Sequence, residues 1–186
     1  MRIFEVSQNN LKDSFSKDLV KSKTWLATEL AKIRTDFKNV YILGSWYGNL
    51  SLILFQEHKI KFQHLYNVDV NEEVLDQGEE LAKNLGIANN ISTIHKNAND
   101  VKYRSPSLII NTSVNNIENA GWFENIPLGT LVVMQSRNKD PGGVNRYNSD
   151  AELAATYPLS RVLYSDKLRL QEKQGSYARF MVIGIK

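Results

Sequence analysis

Two glycines and one aspartate are the residues of this sequence whose types and spacing most directly suggest ligand chemistry. Gly44 and Gly48 bracket a tight bend between two apolar runs, and Asp69 closes the next apolar run. A strand, a glycine turn and a helix in that order can hold a negative ligand group, because the helix N-terminus offers free N–H groups. An acidic side chain at the end of the following strand can accept hydrogen bonds from both ribose hydroxyls of a nucleoside. The alternative for Asp69 is that it only caps the helix that follows.

Two arginines and a glutamate farther along the chain are candidates for contacts with a substrate. Arg137 and Arg146 flank a long loop-like segment, 136–150, after the fifth predicted strand. Ligands of open α/β sheets bind at the carboxyl ends of the strands, so these arginines could clamp a phosphate or carboxylate there. The alternative is that they are surface arginines that confer solubility. Glu118 is a candidate general base for a substrate that must lose a proton, and its alternative is a solvated loop position.

Composition argues against several functional classes. The 186 residues include no cysteine, which excludes a disulfide framework and a thiolate metal site and makes a cytoplasmic location the expectation. His58, His64 and His95 lack the short paired spacings of metal ligands, so we predict no metal. The net charge of +3 is too small and too scattered to indicate nucleic-acid binding by itself. No run approaches the ~20 apolar residues that a membrane span requires, and we expect no membrane association.

The spacing of apolar residues predicts the elements that position these groups. Helices are expected over 16–35, from position 49 to about 57, from position 72 to just before Gly86, briefly near Trp122, and over 150–157. Strands are expected over 40–43, 62–69, 91–95, 107–112 and 130–135, followed by an antiparallel hairpin over 160–171 and 177–185. Alternating strands and helices followed by a hairpin predict an α/β fold whose mostly parallel sheet has one antiparallel edge strand.

The chain length and its 42% hydrophobic content suit one domain with a full core. We predict an N-terminal helical cap over 1–37 and a core over 38–186, with a polar break at 36–38 before the first strand. Lys21, Lys23 and Trp25 of the N-terminal helix could close over the ligand site, although Trp25 also suits the core.

The order of elements and the residues of the glycine turn together resemble the class I S-adenosylmethionine-dependent methyltransferases. The first motif of that family is a hydrophobic strand followed by G-x-G-x-G and a helix start, and Gly44, Gly48, Asn49, Leu50 and Ser51 fit it. The resemblance covers roughly 39–186. It implies a three-layer Rossmann-like sandwich with a mostly parallel, seven-stranded sheet and an antiparallel C-terminal strand, and a helical cap over the cofactor.

Two positions depart from the family pattern. Ile42 stands where the family usually has an acidic residue that helps to orient the methionine end of the cofactor. Trp46 occupies the position of the middle glycine, where the backbone usually approaches the ligand. Either the turn is wider here, or Trp46 lines the pocket as a wall.

The resemblance implies which residues contact the cofactor. The polar cluster after the third strand corresponds to the adenine site, and the end of the fourth strand faces both the methionine moiety and the acceptor. Asn111 and Glu118 are the candidates for a catalytic role. The expected cofactor contacts are Gly44, Ser45, Trp46, Gly48, Asn49, Asp69, Val70, Asn97, Ala98 and Asn111.

The function that the resemblance implies is methyl transfer from S-adenosylmethionine to an acceptor that the sequence does not identify. The segment after the fourth strand lacks the Asn/Asp-Pro-Pro-aromatic pattern of enzymes that methylate exocyclic amines of bases, which argues against that class. Two alternatives remain open: a non-catalytic S-adenosylmethionine-binding or scaffold protein, and an NAD(P)-dependent oxidoreductase. Aminocarboxypropyl transfer from the same cofactor is also open, because the motifs describe binding more than chemistry.

Overall fold

The computed structural model describes residues 15–56, 60–139, 142–172 and 175–186. Helices pack on both faces of one mixed sheet. The predicted elements are confirmed within a few residues at their ends, apart from the start of the first strand. In chain order they are α1 (Lys17–Ile33), β1 (Asp36–Leu43), α2 (Asn49–Gln56), β2 (Lys61–Asp69), α3 (Glu72–Asn84), β3 (Ile91–His95), β4 (Ser107–Asn111), α4 (Gly121–Glu124), β5 (Leu131–Arg137), α5 (Asp150–Thr156), β6 (Arg161–Glu172) and β7 (Gly175–Ile185).

The seven strands are arranged in the order β3-β2-β1-β4-β5-β7-β6. Strands β1 to β5 are parallel, and β7 runs antiparallel to both of its neighbours. The antiparallel C-terminal strand is therefore confirmed, but the prediction that it forms the edge was wrong, because β6 lies outside it. The physical reason is that 180–183 is a continuous apolar run buried on both faces, whereas β6 carries charges that suit an edge.

Apolar side chains on the two faces of the sheet form two core clusters, which confirms the three-layer sandwich. On one face, Leu26 and Leu30 of α1 pack with α2 against the sheet. On the other face, Trp122 of α4 packs with Leu153 and Tyr157 around α5. The carboxyl ends of β1, β2, β4 and β5 meet at one edge of the sheet between these layers, where a ligand site is expected.

The first strand begins earlier than predicted. Asp36 and Phe37 pair with Lys61 and Phe62 of β2, so the predicted polar break at 36–38 is part of β1. Phe37 is buried in the core, which explains why the strand extends beyond its most apolar stretch. The predicted boundary between cap and core thus falls inside a strand, and the division into two parts stays a prediction.

Some expectations concern residues that the structure does not describe. His58, the predicted end of α2 near position 57, positions 173 and 174 of the hairpin turn and the first 14 residues of the cap lie outside the described residues. His64 and His95 are both exposed. Within the described part of the chain, no helix is long and apolar enough to cross a bilayer. The same part contains no group of three or more histidine, aspartate or glutamate side chains that could hold a metal ion.

Candidate functional site

A cleft of about 1230 Å³ opens at the carboxyl ends of the parallel strands. Its walls come from the turn after β1, the ends of β2 and β3, the segment after β4, the first turns of α1, and the β6–β7 hairpin. Most of the residues predicted for the site lie on these walls: Gly44, Ser45, Trp46, Asn49, Asp69, Val70, Asn97, Ala98, Glu118 and Arg137.

The glycine turn between β1 and α2 is tight. The Ser45 N–H donates to the Val68 carbonyl at 3.0 Å, and the Gly48 N–H donates back to the Ser45 carbonyl at 2.9 Å. Gly44 has φ +60°, and a Cβ atom on it would lie 2.6 Å from the Cβ atom of Ser113. A side chain at position 44 would therefore both strain the backbone and collide with the segment after β4.

Trp46 adopts a left-handed backbone conformation, which favours glycine. Its φ is +53°, the one left-handed non-glycine residue among those that the structure describes. Its ring lies 5.2 Å from that of Tyr47, and the residue lines the cleft. Because the turn keeps its tight hydrogen bonds, Trp46 forms a wall of the pocket without widening the turn. Left-handed backbone in a bulky residue costs on the order of 1–2 kcal/mol and persists only where surrounding contacts enforce it.

One of those contacts is the carboxylate of Asp69. Its Oδ2 atom accepts from the Trp46 N–H at 2.8 Å, and its Oδ1 atom accepts from the Asn71 N–H at 3.1 Å. Asn71, whose side chain accepts from the Val74 N–H, is the residue that caps α3. Asp69 is therefore not the helix cap, and two backbone donors hold its carboxylate against the cleft. A carboxylate has about four acceptor positions, so further donors from a ligand can be accommodated.

The residues expected near the adenine site follow β3 directly. The Asn97 Oδ1 atom accepts from the Asn99 N–H at 2.9 Å and starts the short 3-10 turn Ala98–Asp100. Ala98 is buried, whereas Val70, which also lines the cleft, is 63% exposed. Asn97 can offer its amide NH₂ group to a ligand, and Ala98 and Val70 contribute apolar surface to the lining of the cleft.

Three predicted residues do not line the cleft. Asn111 is fully buried, and its Oδ1 atom accepts from the Ser113 N–H at 2.9 Å, which turns the amide into the protein at the end of β4. Gly48 faces inward, with the Asn67 amide 2.8 Å from where its Cβ would be. Arg146 is exposed and does not line the cleft, although the side chain of its neighbour Asn145 donates to the Val114 and Ile117 carbonyls after β4.

The structure also brings residues to the cleft that were not predicted for the site. Arg179, Tyr177 and Gln171 of the β6–β7 hairpin lie on its wall. The Arg179 Nη2 atom donates to the Thr112 carbonyl at 3.0 Å, which places its guanidinium beside the end of β4. Arg179 lies within an apolar strand pattern, so the sequence carries no signal for its role. Of the three cap residues predicted to close over the site, only Lys23 lines the cleft. Lys21 is exposed and does not line it, and Trp25 donates to the Tyr164 hydroxyl at 3.1 Å and packs on its ring.

Lys23 is the most perturbed cation of this site. Only 7% of its surface is exposed, and burial lowers its pKa from 10.5 to about 7, with a further decrease from the positive charge of Arg179. Hydrogen bonds between Ser22 and Gln135 join α1 to β5 and keep Lys23 in place. Since Arg179 is itself 6% exposed, one end of the cleft concentrates two nearly buried basic side chains.

No protein-family model matches the chain, and no curated protein matches it in sequence. Solved structures share its fold. The N-methyltransferase NodS from Bradyrhizobium japonicum is 10% identical, with 89% of this chain and 96% of that chain covered at a TM-score of 0.64. A geranyl diphosphate methyltransferase in complex with SAM is 13% identical, with 92% and 91% covered at a TM-score of 0.64. A SAM-dependent methyltransferase from Aquifex aeolicus is 15% identical, with 85% and 87% covered at a TM-score of 0.62. The chain therefore has the class I methyltransferase fold.

Proposed function

We propose that the protein is an S-adenosylmethionine-dependent methyltransferase. The observation that carries the proposal is the Asp69 carboxylate, which backbone donors hold beside the glycine turn on the wall of a large cleft. The fold is that of class I methyltransferases, and one neighbour of this fold is a complex with SAM. S-adenosylmethionine, when bound, supplies a methyl group already activated by its sulfonium.

The residues on the cleft walls fit that cofactor. Asp69 has acceptor capacity for the ribose hydroxyls, while Ala98 and Val70 offer apolar surface suited to a purine. Ser45 lines the same turn, and its buried hydroxyl has no hydrogen-bond partner among the described residues. The chain's own contribution to the reaction is to bind, to orient and to exclude water, since an in-line displacement needs few catalytic groups.

The cleft has room for more than one ligand. Pockets for single small molecules commonly measure about 300–1,000 Å³, and this cleft measures about 1230 Å³. The space beyond the glycine turn, between α1 and the β6–β7 hairpin, is therefore the proposed position of the methyl acceptor. Arg137 and Glu118 both line the cleft, so contacts of Arg137 with the acceptor and of an exposed Glu118 with a leaving proton remain proposals.

The two departures from the motif do not favour the scaffold alternative. Ile42 is 1% exposed and packs in the core against α1 and α2, so its position is part of the core in this chain. Trp46 preserves the tight turn. The interior antiparallel strand and the methyltransferase neighbours likewise do not favour a dinucleotide-dependent oxidoreductase. A cytoplasmic location stays a prediction.

Calorimetric titration with S-adenosylmethionine, S-adenosylhomocysteine and NAD tests the proposal. We expect both sulfur nucleosides to bind with micromolar dissociation constants and NAD not to bind. Binding of NAD alone would contradict the proposal. Cofactor binding without transfer of labelled methyl to any pool of metabolite, protein or nucleic acid would support the scaffold alternative instead.

A further inference from the structure

Two basic side chains at the α1 end of the cleft are buried together. Lys23 is 7% exposed and Arg179 is 6% exposed, and both line the cleft. Lys23 comes from α1, whose Ser22 is hydrogen-bonded to Gln135 of β5, while Arg179 comes from β7. Three elements that are distant in sequence therefore converge to place positive charge at one end of a ligand cleft.

Burying a charge costs several kcal/mol unless a partner compensates it. Lys23 forms no ion pair with any carboxylate of the described residues. Asp18, Asp69 and Glu118 also line the cleft, but none of them is an ion-pair partner of Lys23. A group that is desolvated, faces a like charge and opens onto a cleft is suited to receive an anion from a ligand.

We infer that Lys23 and Arg179 bind the anionic group of the methyl acceptor, which is a small molecule that carries a carboxylate or a phosphate. This inference rests on the proposed function, because it assumes that the turn end of the cleft holds the methyl donor.

The position of the pair in the sheet favours the acceptor as the source of the anion. Asp69 ends β2, whereas Arg179 belongs to β7 and Ser22, the neighbour of Lys23, is hydrogen-bonded to β5. The strands β1, β4 and β5 lie between β2 and β7. Adjacent strands are about 4.8 Å apart, so the donor's ribose and this end of the cleft lie at different places along the sheet edge. The guanidinium of Arg179 reaches back to Thr112, near the place where donor and acceptor would meet.

The shape of this end favours a small acceptor. The pairing of β5 with β7 ends at Arg137 and Arg179. The pairing of β6 with β7 continues past Arg179 as far as the hairpin turn. The hairpin therefore projects past the carboxyl edge of the sheet, and Gln171 and Tyr177 of this projection line the cleft. A wall on this side leaves room for a metabolite and obstructs a nucleic-acid strand or a folded protein surface.

Proton uptake gives the inference a signature that does not depend on mutation. Burial and the positive charge of Arg179 lower the pKa of Lys23 to about 7. Gln135 of β5, which is hydrogen-bonded to the neighbouring Ser22, carries no charge. A bound anion favours the protonated amine and so raises this pKa. At pH 8, binding of an anion should therefore take up protons, and the measured binding enthalpy should change with the ionisation enthalpy of the buffer.

The test is calorimetry on the protein saturated with S-adenosylhomocysteine, titrated with inorganic phosphate and with malonate against sodium chloride at equal ionic strength. We expect at least one of the two anions to bind with a millimolar dissociation constant and with proton uptake at pH 8. Lys23→Met should weaken that binding at least tenfold, and Lys23→Gln provides a second neutral replacement. Lys21→Met removes the same charge from an exposed position on α1 and should change anion binding less than twofold.

The methionine carboxylate of the donor is the competing source, and a second comparison separates it. S-adenosylhomocysteine carries that carboxylate and 5′-methylthioadenosine does not. If Lys23→Met weakens binding of the first tenfold and leaves the second unchanged, the pair holds the donor and the inference is overturned. It is also overturned if the saturated wild-type protein binds neither phosphate nor malonate. Failure of S-adenosylhomocysteine to bind would overturn the proposed function together with the inference.

Discussion

The two ends of the cleft are built in different ways. At the turn end, Asp69 is the acceptor for backbone donors at Trp46 and Asn71, so the charged group is compensated before any ligand arrives. At the α1 end, Lys23 is buried beside Arg179 and forms no ion pair with a carboxylate of the described residues. The comparison teaches that one end holds its charged group in place before any ligand binds, as the proposed nucleoside site requires, whereas at the other end the burial of Lys23 is unfavourable and a bound anion would relieve it.

The largest expected effect is the change in unfolding free energy when the buried charge at the α1 end of the cleft is removed. Lys23→Met removes a desolvated charge, and a pKa lowered from 10.5 to about 7 corresponds to a stabilisation of up to about 4 kcal/mol at pH 7. Urea unfolding measures this difference. Lys21→Met is the matched control on the same helix, and it should change stability by no more than about 0.5 kcal/mol.

The dependence of this effect on pH has a definite sign. Below pH 7 the lysine is protonated in both the folded and the unfolded chain, so the full cost of burial is present. Between pH 7 and 10.5 only the unfolded chain keeps the proton, so the wild-type protein gains stability as the pH rises. The difference between Lys23→Met and wild type should therefore shrink across that range, and a constant difference would contradict the assigned cause.

The second prediction tests how rigidly the turn end is packed. Gly44→Ala should destabilise the protein by about 2–3 kcal/mol, because φ is +60° and the new Cβ would lie 2.6 Å from that of Ser113. Thermal or urea unfolding measures the loss. Gly142→Ala is the matched control, since nothing lies within 4 Å of its Cβ position, and a similar loss there would show that the packing argument is wrong.

The third prediction concerns the proposed contact of Asp69 with the nucleoside. Asp69→Ala should weaken binding of S-adenosylhomocysteine tenfold to a hundredfold, because hydrogen bonds to a charged group contribute about 1.5–3 kcal/mol. Calorimetry measures the change. Asp76→Ala removes an exposed carboxylate of α3 and should leave the affinity within twofold of wild type. An unchanged affinity in Asp69→Ala would count against the ribose assignment.

The smallest expected effect separates backbone strain from side-chain packing at Trp46. Trp46→Gly and Trp46→Ala both remove the indole ring, but only alanine retains the cost of the left-handed backbone at φ +53°. The glycine variant should be the more stable of the two by about 1 kcal/mol in urea unfolding. Equal stabilities would mean that the turn relaxes when the ring is lost.

The sequence predicted the turn end much better than the α1 end. The turn end depends on a local pattern, in which Gly44 and Trp46 lie in the turn after one strand and Asp69 ends the next. Because local backbone geometry fixes where such residues lie, their positions can be predicted from the sequence. The residues of the α1 end belong to α1, β5 and β7, and their convergence depends on the strand order. Arg146 shows where prediction from the sequence fails, because it lies in the loop predicted to contact the substrate but does not line the cleft.

The spacing of apolar residues by itself determined the helices, nearly all of the strands and the core on both faces of the sheet. The reason is that apolar residues must recur with the period of a helix or of a strand if one side of that element is to be buried. This spacing also located the glycine turn and the acidic strand end. Only the tertiary structure decided that β7 lies inside the sheet and that Asn111 turns into the core. The tertiary structure likewise brought Lys23 and Arg179 together. These outcomes depend on contacts between distant segments, which residue spacing along the chain does not encode.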